Sequence, residues 1–226
     1  MIKFFSITFL LLFLSGCNDE KSELNGESTM KKSKEEKIRI ISEKGYSEDL
    51  NQAPIVAEYL ADTDMEVAGQ ACFYLGYLGA RSYISDIERM IDDADENILN
   101  HCLSGLALMV DERDQYLYDQ VLPFIVHESL LVRMSAVETI SNIRSTKAVG
   151  SLIARFDNED PAVQYEIVKA LGKIGDAEAL PLLHSYQQTV SEMDHSVPRK
   201  GSTRGGAPHP DVLELAIAEA IKAIGN

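Results

Sequence analysis

Chemistry in a protein needs nucleophiles, acid–base groups or metal donors gathered at one place, and this sequence offers few candidates. The most suggestive is the dipeptide His127-Glu128, which sets an imidazole beside a carboxylate. Both are metal-ligand types. The other histidines, His101, His184, His195 and His209, are scattered along the chain. Two thiols, Cys72 and Cys102, without a cluster of histidines make a poor ligand set. The stretch GSTRGG, with Arg199, Lys200 and Arg204 in or beside it, is glycine-rich and basic. Its backbone amides offer an anion nest, but the Lys-Ser/Thr pair of a phosphate loop is missing. No GxSxG, HExxH or CxxC occurs. The expectation is a protein without catalytic residues and without a metal.

One cysteine stands apart. The chain opens MIKFFSITFLLLFLSGCNDE, with Lys3 followed by the apolar run Phe4 to Leu14 and then Leu14-Ser15-Gly16-Cys17. A run of eleven residues is too short to cross a hydrocarbon layer of about 30 Å as a helix. It has the length of a signal-peptide core. Leu14 to Cys17 resembles the bacterial lipobox. That resemblance implies cleavage before Cys17 and acyl chains, palmitate among them, on the new first residue. Acylation on two groups makes such an anchor stable. The alternatives are an ordinary signal peptide with a coincidental cysteine, or an uncleaved hydrophobic anchor. The lipobox reading divides the N-terminus into a signal peptide, 1–16, and a lipidated tether, 17–36. The tether is polar and has almost nothing to bury. The implied location is a bacterial membrane, at its periplasmic face or the cell surface.

The chain carries 36 acidic against 21 basic residues, a net charge of −15. Nucleic-acid binding needs a clustered basic face and is disfavoured. Broad adhesion to anionic lipid is disfavoured for the same reason. A basic protein partner remains open.

The elements that would position any site come from a repeat. Val67, Ala71, Leu75 and Leu78 recur as Ile98, Cys102, Leu106 and Met109. They recur again as Val132, Ala136, Ile140 and Ile143, and as Val163, Ile167, Leu171 and Ile174. The sets begin 31, 34 and 31 residues apart, and Leu213, Ile217, Ile221 and Ile224 follow after 50. The internal spacing marks one face of a helix. Shorter apolar segments, 54–60, 84–91, 117–125, 149–156 and 180–188, precede the sets as first helices. Acidic turns at Asp62 to Asp64, Asp92 to Asp95 and Asp157 to Asp160 supply caps to the second helices. Gly79 and Gly175 stand where second helices should stop.

The unit Asp160-PAVQYEIVKALGKIGDAEAL-180 resembles the HEAT-like repeat of the bilin-lyase type. The resemblance implies an all-α, right-handed α-solenoid of about five helix pairs over 37–226, with residues 36–52 as an N-terminal capping helix. A loop is inserted at about 188–210. Tetratricopeptide repeats are the structural rival, but their tryptophan and glycine–tyrosine pattern are missing. Bilin-lyase activity does not suit an exported, anchored protein. Deoxyhypusine hydroxylase is also HEAT-like and binds iron through several His-Glu pairs. Here the turns matching His127-Glu128 read Asp62-Thr63, Asp93-Ala94 and Asn158-Glu159.

Cys72 and Cys102 fall on second helices of adjacent units. Cys102 occupies a core position, which favours a buried free thiol, and a disulfide is the alternative in an exported protein. Opposite the apolar stripe of each second helix lie the positions two and six residues after its first apolar residue. They hold Gly69 and Phe73, Asn100 and Ser104, Met134 and Glu138, Tyr165 and Lys169, flanked by Tyr77 and His101. Aromatic and methionine side chains where solvent is expected suggest a protein-binding groove. The alternative is that they pack on neighbouring helices.

The leading functional expectation is a membrane-tethered, non-enzymatic scaffold whose partner is another protein. The alternatives are an immunity lipoprotein that neutralises a secreted toxin, and a HEAT-like metal enzyme.

Overall fold

A computed structural model describes residues 32–91, 95–193 and 208–225. The expected signal peptide, Cys17, most of the expected tether and Arg199, Lys200 and Arg204 lie outside the described residues.

Every described element is helical. The chain runs through α1 (Lys34–Gly45), α2 (Ala53–Ala57), α3 (Met65–Tyr77), α4 (Ile84–Ile91), α5 (Glu96–Met109) and α6 (Tyr118–Val121). It continues through α7 (Leu130–Ile143), α8 (Val149–Phe156), α9 (Pro161–Ile174), α10 (Leu180–Ser191) and α11 (Pro210–Ile224). Each of α2, α4, α6, α8 and α10 precedes, and packs on, its second helix, α3, α5, α7, α9 or α11. The second helices also pack on one another in sequence order, and α1 closes the N-terminal side against α2 and α3. The molecule is an α-solenoid. Each pair hides one apolar face against its partner and the next pair, so stacking makes one continuous core.

The periodic positions form that core. Val67, Ala71, Leu75, Cys102, Leu106, Val132, Ala136, Ile140 and Leu171 are fully buried. Leu78, Ile174, Ile221 and Ile224, near helix ends, are half-buried.

The first helices are less regular than their apolar pattern. Residues 53–61 and 112–126 are chains of short α and 3₁₀ segments. Pro123 lacks the N–H that would continue the helical ladder, and the chain tightens into 3₁₀ geometry over Leu122–Val126. Asp114 adopts a non-helical φ of −98°.

Caps follow the sequence in part. Asp64 accepts from the Glu66 and Val67 amides, and Asp95 from the Ile98 amide at 3.1 Å. Asp160 stands at the cap of α9 but makes no side-chain cap bond. Its carboxylate accepts instead from Arg133 at 2.7 Å, because a guanidinium is the stronger donor. Gly79 and Gly175 take left-handed φ of 67° and 80°. The equivalent position after α7 is Arg144, held at φ 54°. The expected loop begins late: α10 runs to Ser191, and residues 208 and 209 lead directly into α11.

Ion pairs tie successive units at their turns. Lys37 meets Asp62 at 2.6 Å. Arg81 reaches both carboxylate oxygens of Asp114, at 3.0 and 2.8 Å. Arg113 holds Asp111 well below the usual carboxylate range by hydrogen bonding to it.

Candidate partner-binding face

Six of the residues expected to form a groove come together. Phe73 of α3, Asn100, His101 and Ser104 of α5, and Met134 and Glu138 of α7 line one depression of about 480 Å³. Tyr46, Gln70, Tyr74, Leu131, Ser135 and Glu166 complete its walls. Of these, only Tyr46 lies outside a second helix, in the turn after α1. The others occupy second-helix positions −1, +3 and +7 in the repeat count. At about 100° per residue, the depression is centred roughly 50° around the helix from the +2/+6 direction. The occurrence of His101 at +3 was the signal that could have found this row.

The N-terminal end is aromatic. Tyr46 meets Tyr74 edge-on at 4.9 Å and Tyr77 at 5.1 Å, and Phe73 meets Tyr74 at 5.2 Å. Tyr46 and Tyr77 keep about half their surface exposed, at 58% and 46%. Burial, and then a hydrogen bond with Tyr46 that favours the protonated phenol, push Tyr74 up to about 12.

The middle is polar and partly self-satisfied. Ser135 donates to Asn100 at 3.0 Å and lies 2.9 Å from Ser104. Gln70 and His101 meet at 3.3 Å. Asn100 and Ser104 therefore also stitch α5 to α7. Gly69 is buried, with the His101 ring about one van der Waals contact away from any added Cβ.

Charge appears toward α9. Lys169 pairs with Glu166 at 2.9 Å and lies 5.2 Å from the Tyr165 ring centre. Lys173 donates to Asn142. Glu138 is exposed and has no hydrogen-bond or ion-pair partner among the described residues. The protein around it raises its pKa, Glu166 adds to the rise, and Lys169 and Lys173 oppose it. The face is thus segmented into aromatic, acidic and lysine-bearing parts.

The leading expectation of free thiols is corrected. Cys72 and Cys102 form a disulfide with Cα atoms 4.9 Å apart. Both residues are fully buried. The pairing is possible because α3 and α5 approach unusually closely. A Cβ built on Gly76 would stand 2.3 Å from the Gly105 carbonyl oxygen. A core position and a cross-link coexist here.

His127 and Glu128 do not assemble a metal site. His127 Nδ1 accepts from the Ser129 amide at 3.1 Å, and the Glu128 backbone carbonyl accepts from Arg133 at 2.9 Å. No group of three His, Cys, Asp or Glu side chains suited to a metal converges among the described residues. These donors do not fit an iron pair. No described helix is long and apolar enough to cross a membrane.

Residues 118–191 match the family model described as HEAT repeats. The match contains the unit that carried the resemblance in the sequence. The chain is also similar to deoxyhypusine hydroxylase of Drosophila melanogaster, 26% identical over 83 residues. That alignment covers 37% of this chain and 28% of the relative, so the chain spans less than a third of that protein's length.

Proposed function

We propose that this protein is a lipid-tethered, non-catalytic scaffold that binds another protein through the second-helix face of its HEAT-like repeats. The observation that carries the reading is the shared depression. Helices from four successive pairs contribute to it, with a cluster of aromatic rings at one end, Tyr46 among them exposed, and the unpartnered carboxylate of Glu138 beyond it. Stacked repeats present surfaces of this kind to extended partners, and aromatic anchors dominate binding energy at protein interfaces.

The tether rests on Cys17, which follows directly on the apolar run. The Cys72–Cys102 disulfide supports an exported location, because such bonds persist in oxidising compartments. A lipid anchor raises the effective concentration of the face near membrane partners.

Two experiments test the reading. Cys17→Ser should abolish acyl labelling and release the protein from the membrane fraction. Unchanged labelling sinks the tether. Capture from membranes with the wild type and with Phe73→Ala/Met134→Ala should recover partners only with the wild type. Equal recovery removes the groove.

The net charge of −15 favours a second reading, neutralisation of a secreted basic toxin by steered association. Protection of a toxin-exposed strain separates it from a general adaptor.

A further inference from the structure

Resting on the groove reading above, we infer that the depression selects an extended basic segment of its partner: an apolar or aromatic side chain against Phe73 and Tyr74, and a lysine or arginine at Glu138. Charge complementarity points to this occupant. The walls carry two carboxylates, Glu138 and Glu166, and no lysine or arginine. Glu166 is already matched by Lys169 at 2.9 Å. Glu138 is the carboxylate left for a visitor.

The groups around Glu138 define what it accepts. His101 faces the depression from α5, and Glu166, Lys169 and Lys173 stand on α9. The two lysines favour the ionised form of Glu138, and the two wall carboxylates, Glu138 and Glu166, repel an acidic segment. A lone small cation lacks converging donors, since no cluster of three metal-ligating side chains is present among the described residues. A lysine or arginine brings an aliphatic stem as well as a charge, and Met134 lines the same wall to receive it.

Geometry sets the spacing of the two anchors. Phe73 and Glu138 occupy the same repeat position two units apart, on α3 and α7. Neighbouring helices lie about 9 Å apart, and α3 and α5 approach more closely, so the anchors are separated by at most roughly 18 Å. An extended chain covers that distance in about five or six residues. Tyr46, edge-on to Tyr74, closes the aromatic end and fixes which end the apolar anchor takes.

The test is selection of a random dodecapeptide display library on the folded wild type, followed by titration of the selected peptides. The expected peptides share an apolar or aromatic residue and a lysine or arginine about five or six residues away. Their affinity should fall about tenfold in Glu138→Gln, the scale of one charged hydrogen bond, and by a similar factor in Phe73→Ala. Circular dichroism confirms that each variant is folded. Peptides without a basic residue, or indifferent to Glu138→Gln but weakened by Phe73→Ala, overturn the basic segment and leave the groove standing. Peptides indifferent to Glu138→Gln, Phe73→Ala and Met134→Ala overturn the groove itself. Failure to select any peptide counts against both.

Discussion

Gly76 and Gly105 face each other across α3 and α5 with no side chain between them. A methyl group on Gly76 would overlap the Gly105 carbonyl oxygen at 2.3 Å, and one on Gly105 would overlap the Cys72 carbonyl oxygen at 2.4 Å. The obstructing atoms are backbone, so they cannot swing aside. Gly76→Ala and Gly105→Ala should each destabilise the protein by about 2–3 kcal/mol, the scale of core overpacking. Thermal unfolding checks this, and an unchanged melting temperature would show that the helices separate freely.

The same close approach carries the Cys72–Cys102 bond, which closes a loop with a sequence separation of 30. Constraining the unfolded chain over that length contributes about 3–4 kcal/mol. Alkylation under denaturing conditions should label neither cysteine until a reductant is added. Cys72→Ala/Cys102→Ala should lower the urea midpoint accordingly.

Arg133 ties the turn before α7 to the turn before α9. It donates to Glu159 at 2.9 Å, to Asp160 at 2.7 Å and to the His127 and Glu128 carbonyls. The Glu159 side chain is only 1% exposed and also takes Arg155. Removing one partner leaves a buried charge undercompensated. Arg133→Met should cost about 3 kcal/mol in denaturant unfolding, and adding Glu159→Gln should recover part of the loss.

Arg144 occupies the left-handed position that Gly79 and Gly175 fill elsewhere. Its Cβ crowds the following carbonyl there, a strain of about 1–2 kcal/mol that glycine avoids. Its ion pair with Glu112 is exposed and 3.7 Å long, so little is lost with it. Arg144→Gly should stabilise the fold by about 1 kcal/mol after glycine's greater unfolded-state entropy is counted. An equilibrium unfolding series measures it.

Glu138 has a folded-state pKa raised chiefly by burial. A raised carboxyl pKa means that the folded protein holds this proton more tightly than the unfolded chain. Ionised Glu138 therefore opposes folding above its folded pKa, and the opposition fades as pH falls through that pKa toward the unfolded value. Glu138→Gln should be more stable than the wild type at neutral pH, with the two converging in acid. A variant that is more stable yet binds basic peptides less well would identify Glu138 as kept for recognition. Equal stability at all pH values would remove the destabilising role.

The repeat was legible because it is a one-dimensional property. The apolar sets starting at Val67, Ile98, Val132, Val163 and Leu213 fix five second helices and the faces they bury, since helical periodicity and solvent exclusion act locally in every unit. Glycine stops at Gly79 and Gly175 were readable for the same reason. Arg144 in the same conformation was not, because its strain is held by the surrounding turn. Phe73, Met134 and Glu138 were found by counting around a helix, whereas Tyr46 reaches the site from the turn after α1, which no helical count reaches. Pairing of Cys72 with Cys102 depended on how closely two backbones approach, and that distance is set by Gly76 against Gly105 across two units. The sequence alone determined the helices, their register and the residues turned away from the core. Only the tertiary structure decided which of those residues share one depression, which satisfy each other and which carboxylate is left without a partner. Those outcomes depend on distances between units that no single repeat contains.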